Sequence, residues 1–411
     1  DGAYKQEETP RYHGRDVAIM RAQEAGVPVV LGSATPSMES FSKARRGDYL
    51  YLQLPDRVES RPLPGVELVD LREHRSVLPG GVVTEPLQKA LAETLERGEQ
   101  ALLFVNRRGY APMLLCPDCG HTWTCHHCQV SLTFHQKDRS IRCHYCDDRR
   151  LVPESCPDCG NIDLKPVGIG TQKLMQEVAQ LFPQASLLRM DRDTTRAKNA
   201  HLDILKQVTD GHADVLIGTQ MVAKGHNLPG VTLVGVVCAD QGIHVPDFRA
   251  AEGVFSLLTQ VAGRAGRGDR PGRVVLQTFD PEHPAIRCAV THDYAGFAEV
   301  ELAMRGAVGF PPAGRATRLL LRDRSPDRIE QAARVIAERV RHLPENGVTV
   351  LGPAPPLIAM LRDEHRLHLL IKGERAGPVR QVTRWLVDEI HKTPGLASVR
   401  LDIDVDPQNL M

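Results

Sequence analysis

Short apolar runs alternate with segments of helical spacing through the first 280 residues. Residues 28–31, 101–105, 186–191, 214–218, 231–240 and 272–279 are rich in apolar residues and read as strands, 101–105 and the β-branched run at 231–240 as buried ones. Between them, apolar positions recur at helical spacing. Leu87, Leu91 and Leu95 follow a capping Thr84, and Leu174, Val178 and Leu181 follow a Val-Gly-Ile-Gly-Thr turn. Further helices are predicted over 16–24, where Val17, Ala18 and Met20 are apolar, and over 199–210 and 250–261. Residues 66–71 alternate like a strand behind a Pro-rich stretch at 55–64 that reads as a linker. Strands that alternate with helices predict an α/β fold, a parallel sheet with helices on both faces.

The rhythm changes near residue 298. Strands over 316–322, 348–351, 366–371 and 398–405 and helices over 327–343 and 378–392 spell β-α-β-β-α-β. This is the α+β ferredoxin-like order. An RNA-recognition domain shares it but places stacking aromatics on its central strands, and none stands here. The segment reads as an interaction or structural domain.

Residues 112–163 interrupt the α/β pattern with four C-x-x-C pairs: Cys116/Cys119, Cys125/Cys128, Cys143/Cys146 and Cys156/Cys159. Four thiolates make a tetrahedral zinc site, so eight imply two ions. Cys116-Pro-Asp-Cys119-Gly120 and Cys156-Pro-Asp-Cys159-Gly160 are the same pentapeptide. Identical knuckles suggest one shared site, nested around a second formed by Cys125, Cys128, Cys143 and Cys146. Sequential pairing is the alternative, and disulfides are a further one.

Composition narrows the picture from another side. Lys+Arg and Asp+Glu are both 51, so global charge gives no indication of nucleic acid, and any such binding rests on local patches. The remaining cysteines, Cys238 and Cys288, sit in apolar runs and read as core thiols. The sequence has no signal-peptide pattern and no bilayer-length apolar run, which leads us to expect a soluble cytoplasmic protein without a membrane partner. It begins at Asp1 in a charged segment, and we expect an upstream region to be missing.

Short motifs at strand ends carry the chemistry. The opening segment mixes Tyr4, Lys5, Tyr12 and Arg15, a mixture suited to stacking on bases and neutralising phosphate. GSATP at 32–36 ends an apolar run and opens a helix. NRRGY at 106–110 follows another, GTQ at 218–220 a third, and QVAGRAGRG spans 260–268. In this order they resemble a superfamily II helicase core, whose two RecA-like lobes clamp ATP. With four C-x-x-C pairs inserted after NRRGYAP, and with the closing LDIDVDPQNL, the whole chain resembles the PriA family, primosomal DNA helicases of replication restart.

That resemblance implies a domain plan. Residues 1–75 would end helicase lobe 1 and form the inter-lobe linker. Residues 76–111 and 164–290 would form lobe 2, 112–163 an inserted zinc-binding domain, and 298–411 a C-terminal domain. It also implies roles. Arg264 and Arg267 would reach the γ-phosphate of ATP, with Gln260 coupling nucleotide to DNA. Gly218, Thr219, Gln220, Lys224 and Gly225 would sense nucleotide and contact the DNA backbone, while Ser33, Ala34 and Thr35 would pass the nucleotide state between lobes. Tyr4, Lys5, Tyr12, Arg15, Asn106, Arg107 and Arg108 would contact DNA. The implied activity is 3′–5′ translocation by a monomer on forked or single-stranded DNA, using ATP and Mg²⁺. Single-stranded-DNA-binding protein and other primosome proteins would be its partners. The alternative is a non-enzymatic zinc-containing scaffold. No G-x-x-x-x-G-K-[ST] phosphate loop occurs in the sequence, so this chain alone is expected neither to hydrolyse ATP nor to unwind DNA.

Overall fold

The structure, a computed structural model, describes residues 2–6, 8, 10–54, 64–105, 113–128, 130–135, 138–167, 170–191, 194–195, 199–223, 228–266, 270–343 and 347–410. Side-chain caps begin the first two helices. His13 accepts from the Arg15 N–H before α1 (Gly14–Ala25), and Ser37 accepts from the Ser40 N–H before α2 (Met38–Arg45). The helix expected over 16–24 forms, but α1 buries none of its residues, the apolar Val17, Ala18 and Met20 included. The strand expected at 28–31 does not form either. The segment is irregular, and Val30 is 91% exposed. An apolar run becomes a strand only where a neighbour accepts its backbone hydrogen bonds, and no described strand pairs with this one.

The chain continues through β1 (Gly65–Asp70), α3 (Glu85–Glu96) and β2 (Gln100–Phe104) into the inserted segment. There β3 (Met113–Leu115), β4 (Thr133–His135), β5 (Ser140–Arg142), β6 (Arg149–Leu151) and β7 (Lys165–Val167) form a five-stranded antiparallel sheet in the order β6-β5-β4-β3-β7. The insertion leaves along β3 and returns along its neighbour β7, so it can be set into the larger domain without displacing that domain's strands. α4 (Thr171–Leu181), β8 (Leu187–Met190), α5 (Ala200–Thr209), β9 (Val215–Gly218), α6 (Gln220–Ala223) and β10 (Val231–Val236) resume the α/β alternation. α7 (Asp240–Ile243), α8 (Ala250–Ala262), β11 (Arg273–Thr278), α9 (Pro284–Val290) and α10 (Tyr294–Ala307) complete it.

These strands make a six-stranded parallel sheet, β1-β11-β10-β2-β9-β8. β1 corrects the expected boundary at residue 75. It is the edge strand of this sheet, in register with β11 from Gly65↔Arg273 to Asp70↔Thr278, and not part of a linker. Along β2 the side chains alternate between two cores. Ala101 and Leu103 meet Leu87 and Leu91 of α3 and Leu174 of α4, while Leu102 and Phe104 join Phe255 and Leu258 of α8. Both faces are therefore covered, as a parallel sheet requires. Met38 and Phe41 of α2 belong to the second core, so α2 packs on the same domain.

The C-terminal part contains β12 (Arg315–Asp323), α11 (Pro326–Arg341), β13 (Val348–Ala354), β14 (Met360–Leu361), β15 (Glu364–Gly373), α12 (Ala376–Lys392) and β16 (Arg400–Val405). Its sheet runs β13-β15-β12-β16, antiparallel throughout, with β14 paired to β15. The first and third strands of the βαββαβ unit are central, which is the expected ferredoxin-like arrangement. Leu319, Leu321, Leu369 and Ile371 face the two helices. On the opposite face Ala316 and Leu370 join Leu132, Ile141 and Tyr145 of the inserted module in one core. No helix among the described residues is long and apolar enough to cross a membrane.

Candidate metal centres and the arginine-bearing helix

The eight cysteines converge as two nested groups. The Sγ atoms of Cys116, Cys119, Cys156 and Cys159 all lie within 4.8 Å of one another, and so do those of Cys125, Cys128, Cys143 and Cys146. All eight are free thiols. Zn–S bonds of about 2.3 Å place tetrahedral ligands roughly 3.8 Å apart. The Cys116···Cys159 and Cys119···Cys156 separations are both 3.5 Å, and Cys125···Cys146 is 3.6 Å. The donor set and spacing fit Zn²⁺ at both sites, in the nested pairing.

Backbone geometry shows why the knuckles form. Cys116 N–H donates to the His121 carbonyl at 3.0 Å and Gly120 N–H to the Cys116 carbonyl at 2.9 Å. The second CPDCG repeats this with Cys156 N–H to Asn161 O and Gly160 N–H to Cys156 O. Both glycines have φ of +78°, which side chains adopt only with strain. The inner knuckle puts Asp147 in the same left-handed region at +66°, and Arg142 pairs with its carboxylate. Four close thiols cannot share protons evenly. Cys128 is pushed far up by its hydrogen bond to Cys143 and by burial, while that same bond draws Cys143 down to about 6. A divalent cation resolves this by taking all four as thiolates. Filled Cys₄ sites have no open position, so zinc here is structural.

The second site lies on α8. Glu252, Ser256 and Gln260 are spaced by four residues along one face of a largely apolar helix. Gln260 Nε2 donates to Ser256 Oγ at 3.0 Å, and Ser256 Oγ meets Thr35 Oγ1 at 2.8 Å. Ser33 Oγ accepts from Thr35 N–H, and Glu252 accepts from Met38 N–H at 3.1 Å. The GSATP loop, with Ala34 between these residues, is thus docked on the helix that leads into the Gly-Arg turn. Arg249 Nη1 lies 2.6 Å from Glu39, and Arg305 bridges Glu252 and Glu301. Burial pushes the Glu39 carboxyl up, but the Arg249 and Arg305 guanidiniums outweigh it and hold the group at about 2.

Arg264 is buried within the turn after α8, at 8% exposure. Gly266, at φ +66°, lies against the backbone of Gly272, where a Cβ would not fit, and this fixes the turn to the start of β11. Gly218 ends β9, where a Cβ would stand 2.9 Å from the Met190 carbonyl. Thr219 is buried and Gln220 begins α6. Arg267, Lys224, Gly225, Asn106, Arg107 and Arg108 lie outside the described residues.

The opening segment differs from expectation. Tyr4 and Tyr12 are exposed, but the cations beside them are engaged within the protein. Lys5 Nζ is 2.8 Å from Asp404 and donates to the Val405 carbonyl. Arg15 Nη1 donates to Ser37 Oγ at 2.7 Å, and its Nε to Asp16. A carboxylate or hydroxyl in contact competes directly with phosphate for these groups. Sequence reasoning missed Glu39, Arg249, Glu252, Ser256 and Arg305. The four-residue spacing of polar residues along an apolar helix was the available signal for two of them.

Comparison with known proteins gives this geometry a family. Residues 125–150 match the family described as PriA DNA helicase Cys-rich region domain, 170–269 the Helicase conserved C-terminal domain, and 306–408 the Primosomal protein N C-terminal domain. The Replication restart protein PriA of Bacillus subtilis (strain 168) is 41% identical over 415 residues, covering 100% of this chain and 51% of that relative. Its namesake from Synechocystis sp. is 41% identical over 419 residues, with 100% and 50% covered, and that of Treponema pallidum is 40% identical over 411 residues, with 100% and 61% covered. The chain spans about half the length of the first two of these curated relatives. Alignment along its whole extent, with a family-specific cysteine module and C-terminal domain flanking one helicase sheet, establishes that the chain belongs to the PriA family.

Proposed function

We propose that the protein carrying this chain is an ATP-dependent 3′–5′ DNA helicase of the primosome, acting in replication restart at abandoned forks. The observation that carries this reading is the Thr35···Ser256···Gln260 hydrogen-bond chain. It joins the GSATP loop to α8, which leads into the turn carrying Arg264, and so offers a route between the two. In phosphoryl transfer, negative charge spreads over the γ-phosphate oxygens, and a rigid guanidinium neutralises it. Arg264 and Arg267 are the candidates for that role, with ATP and Mg²⁺ held mainly by residues outside this sequence. Forked or single-stranded DNA would pass the carboxyl ends of β2 and β9, near Asn106–Arg108 and Thr219–Gly225. Tyr4 and Tyr12, both exposed, offer rings on which bases could stack. Single-stranded-DNA-binding protein and other primosome proteins are the expected partners, in the cytoplasm.

The test uses the full-length protein. Arg264→Ala is expected to lower DNA-stimulated phosphate release by about 10³-fold or more, the scale of an arginine finger. A loss under tenfold with normal folding would overturn the assignment. The 411-residue chain alone is expected to release no phosphate from ATP when DNA is added.

A further inference from the structure

Three residues before α8, at 247–249, hold several separate parts of the protein together. The Phe248 ring stacks on Phe310, with centroids 4.7 Å apart and planes 2° from parallel. Phe310 meets Tyr145 edge-on at 6.3 Å and carries the Lys372 ammonium 4.6 Å from its centroid. The Arg249 and Arg305 guanidiniums lie 4.8 and 5.4 Å from the Phe248 centroid. Asp247 accepts from Leu410 N–H at 3.0 Å, and Arg249 Nε donates to the Pro407 carbonyl at 3.1 Å. Three rings and three cations from the cysteine module, the C-terminal sheet, α10 and the start of α8 thus share one buried spot.

One contact in this spot is directional. Tyr145 stands between Cys143 and Cys146, inside the inner knuckle, and its hydroxyl accepts the Phe248 N–H at 3.0 Å. A phenylalanine would fill the same space, so the hydroxyl does something that packing does not. It satisfies a backbone donor that lies two residues before α8 and fixes where that helix begins. From there a helix of 13 residues is a rod about 20 Å long, and its far end carries Gln260 and then Arg264. A small rotation at the near end becomes a displacement at the far end.

We propose that Tyr145 is a positioning residue for α8, holding Phe248 so that the helix presents Gln260 and Arg264 in the register the motor requires. The proposal rests on the motor reading above, but it makes a structural claim of its own. The inner cysteine centre holds Tyr145 in place on both sides. The module therefore has a line of contact to the chemistry without containing any reacting group.

The test compares Tyr145→Phe with the parent in the full-length, zinc-loaded protein, by hydrogen exchange over residues 250–262 and by ATPase kinetics with single-stranded DNA. Protection along α8 is expected to fall, and kcat is expected to fall about three- to tenfold with KM for ATP within twofold and zinc still at two ions per chain. Unchanged protection overturns the proposal. So does lowered protection with unchanged kcat, or a zinc content below two, which would assign the hydroxyl to the metal site. If the parent itself lacks ATPase activity, the motor reading fails and the exchange experiment alone decides whether Tyr145 positions the helix. Phe248→Leu, which keeps the backbone N–H and removes the ring stack, is expected to lower protection in the same segment while retaining two zinc ions. Unchanged protection there would also count against the proposal.

Discussion

The outer cysteine centre, Cys116/Cys119/Cys156/Cys159, leaves Cys159 exposed and meets the rest of the protein at its edge. Gly120 lies against the Phe279 carbonyl beyond β11, and Arg75 pairs with Asp118 at 2.7 Å across a solvated surface. The inner centre buries Cys125, Cys128 and Cys143 and shares a core with Phe310, Ala316 and Leu370 of the C-terminal part. His368 donates to the His144 carbonyl, His144 Nδ1 lies 2.9 Å from the Pro355 carbonyl, and Ser131 pairs with His244 at 3.0 Å. Four thiolates at the same spacing therefore do different structural work. At the outer site, ligation joins the two CPDCG knuckles, one from each end of the inserted segment, at the module's edge. At the inner site, it fixes a knuckle that packs on a second sheet and whose Tyr145 hydroxyl meets the Phe248 N–H ahead of α8.

Removing one ligand from each centre tests this most severely. Cys143→Ser and Cys159→Ser are each expected to lower zinc content from two ions per chain to one. Structural zinc contributes about 10–16 kcal/mol to folding a small module, comparable with the roughly 5–15 kcal/mol total stability of a domain. Loss at the inner site should therefore release the C-terminal sheet from the rest. Proteolytic cleavage between residues 306 and 316 and a split thermal transition are the expected readouts for Cys143→Ser. Cys159→Ser should keep a single transition with a modestly lower Tm. Equal behaviour of the two variants would refute the distinction.

Acid should loosen the inner side by a second route. His368 is buried, and burial pushes its imidazole down to about 4 from 6.5, against the opposing effect of its hydrogen bond to the His144 carbonyl. The folded state thus prefers the neutral ring. Its contribution is complete above pH 6.5 and is lost as pH falls from there towards 4, up to about 3 kcal/mol. Urea unfolding at pH 7.5, 6 and 5 should show a steeper loss in the parent than in His368→Gln, whose side-chain N–H can make the same bond without titrating. Zinc content must be followed in parallel. Parallel pH profiles would mean that His368 does not report on the interface.

Much of this was legible in advance because the signals were local. The nested pairing followed from two identical pentapeptides, and most strands of the parallel and C-terminal sheets followed from apolar runs of strand length, whereas the short strands of the inserted segment were not foreseen. Where reading failed, the missing information was tertiary. Residues 28–31 have the composition of a strand, but no described strand pairs with them. Residues 66–71 read as a strand, but the domain plan left them outside lobe 2 because the partner β11 lies over 200 residues away. Lys5 and Arg15 looked free because nothing in the opening segment shows that Asp404 and Ser37 will reach them. Spacing marks Glu252 and Ser256 in the sequence, but not their partners, the Met38 N–H and the Thr35 hydroxyl, which lie over 200 residues away.

The smallest expected effect separates two glycines that the sequence makes equivalent. Gly120 and Gly160 end the same pentapeptide, both at φ +78°. Alanine in the left-handed region costs about 1 kcal/mol at either position. At Gly160 nothing lies within 4 Å of a new Cβ, so backbone strain is the whole effect. At Gly120 the Cβ would stand 2.7 Å from the Phe279 carbonyl and 3.4 Å from Arg72 Cδ. A backbone oxygen cannot swing aside as a side chain can, so either the knuckle lifts or the end of β11 shifts, at a further cost of about 1–3 kcal/mol. Gly120→Ala should therefore melt below Gly160→Ala with zinc content equal in both. The difference should vanish if the outer knuckle does not rest on β11, because the two turns would then feel only their own backbone.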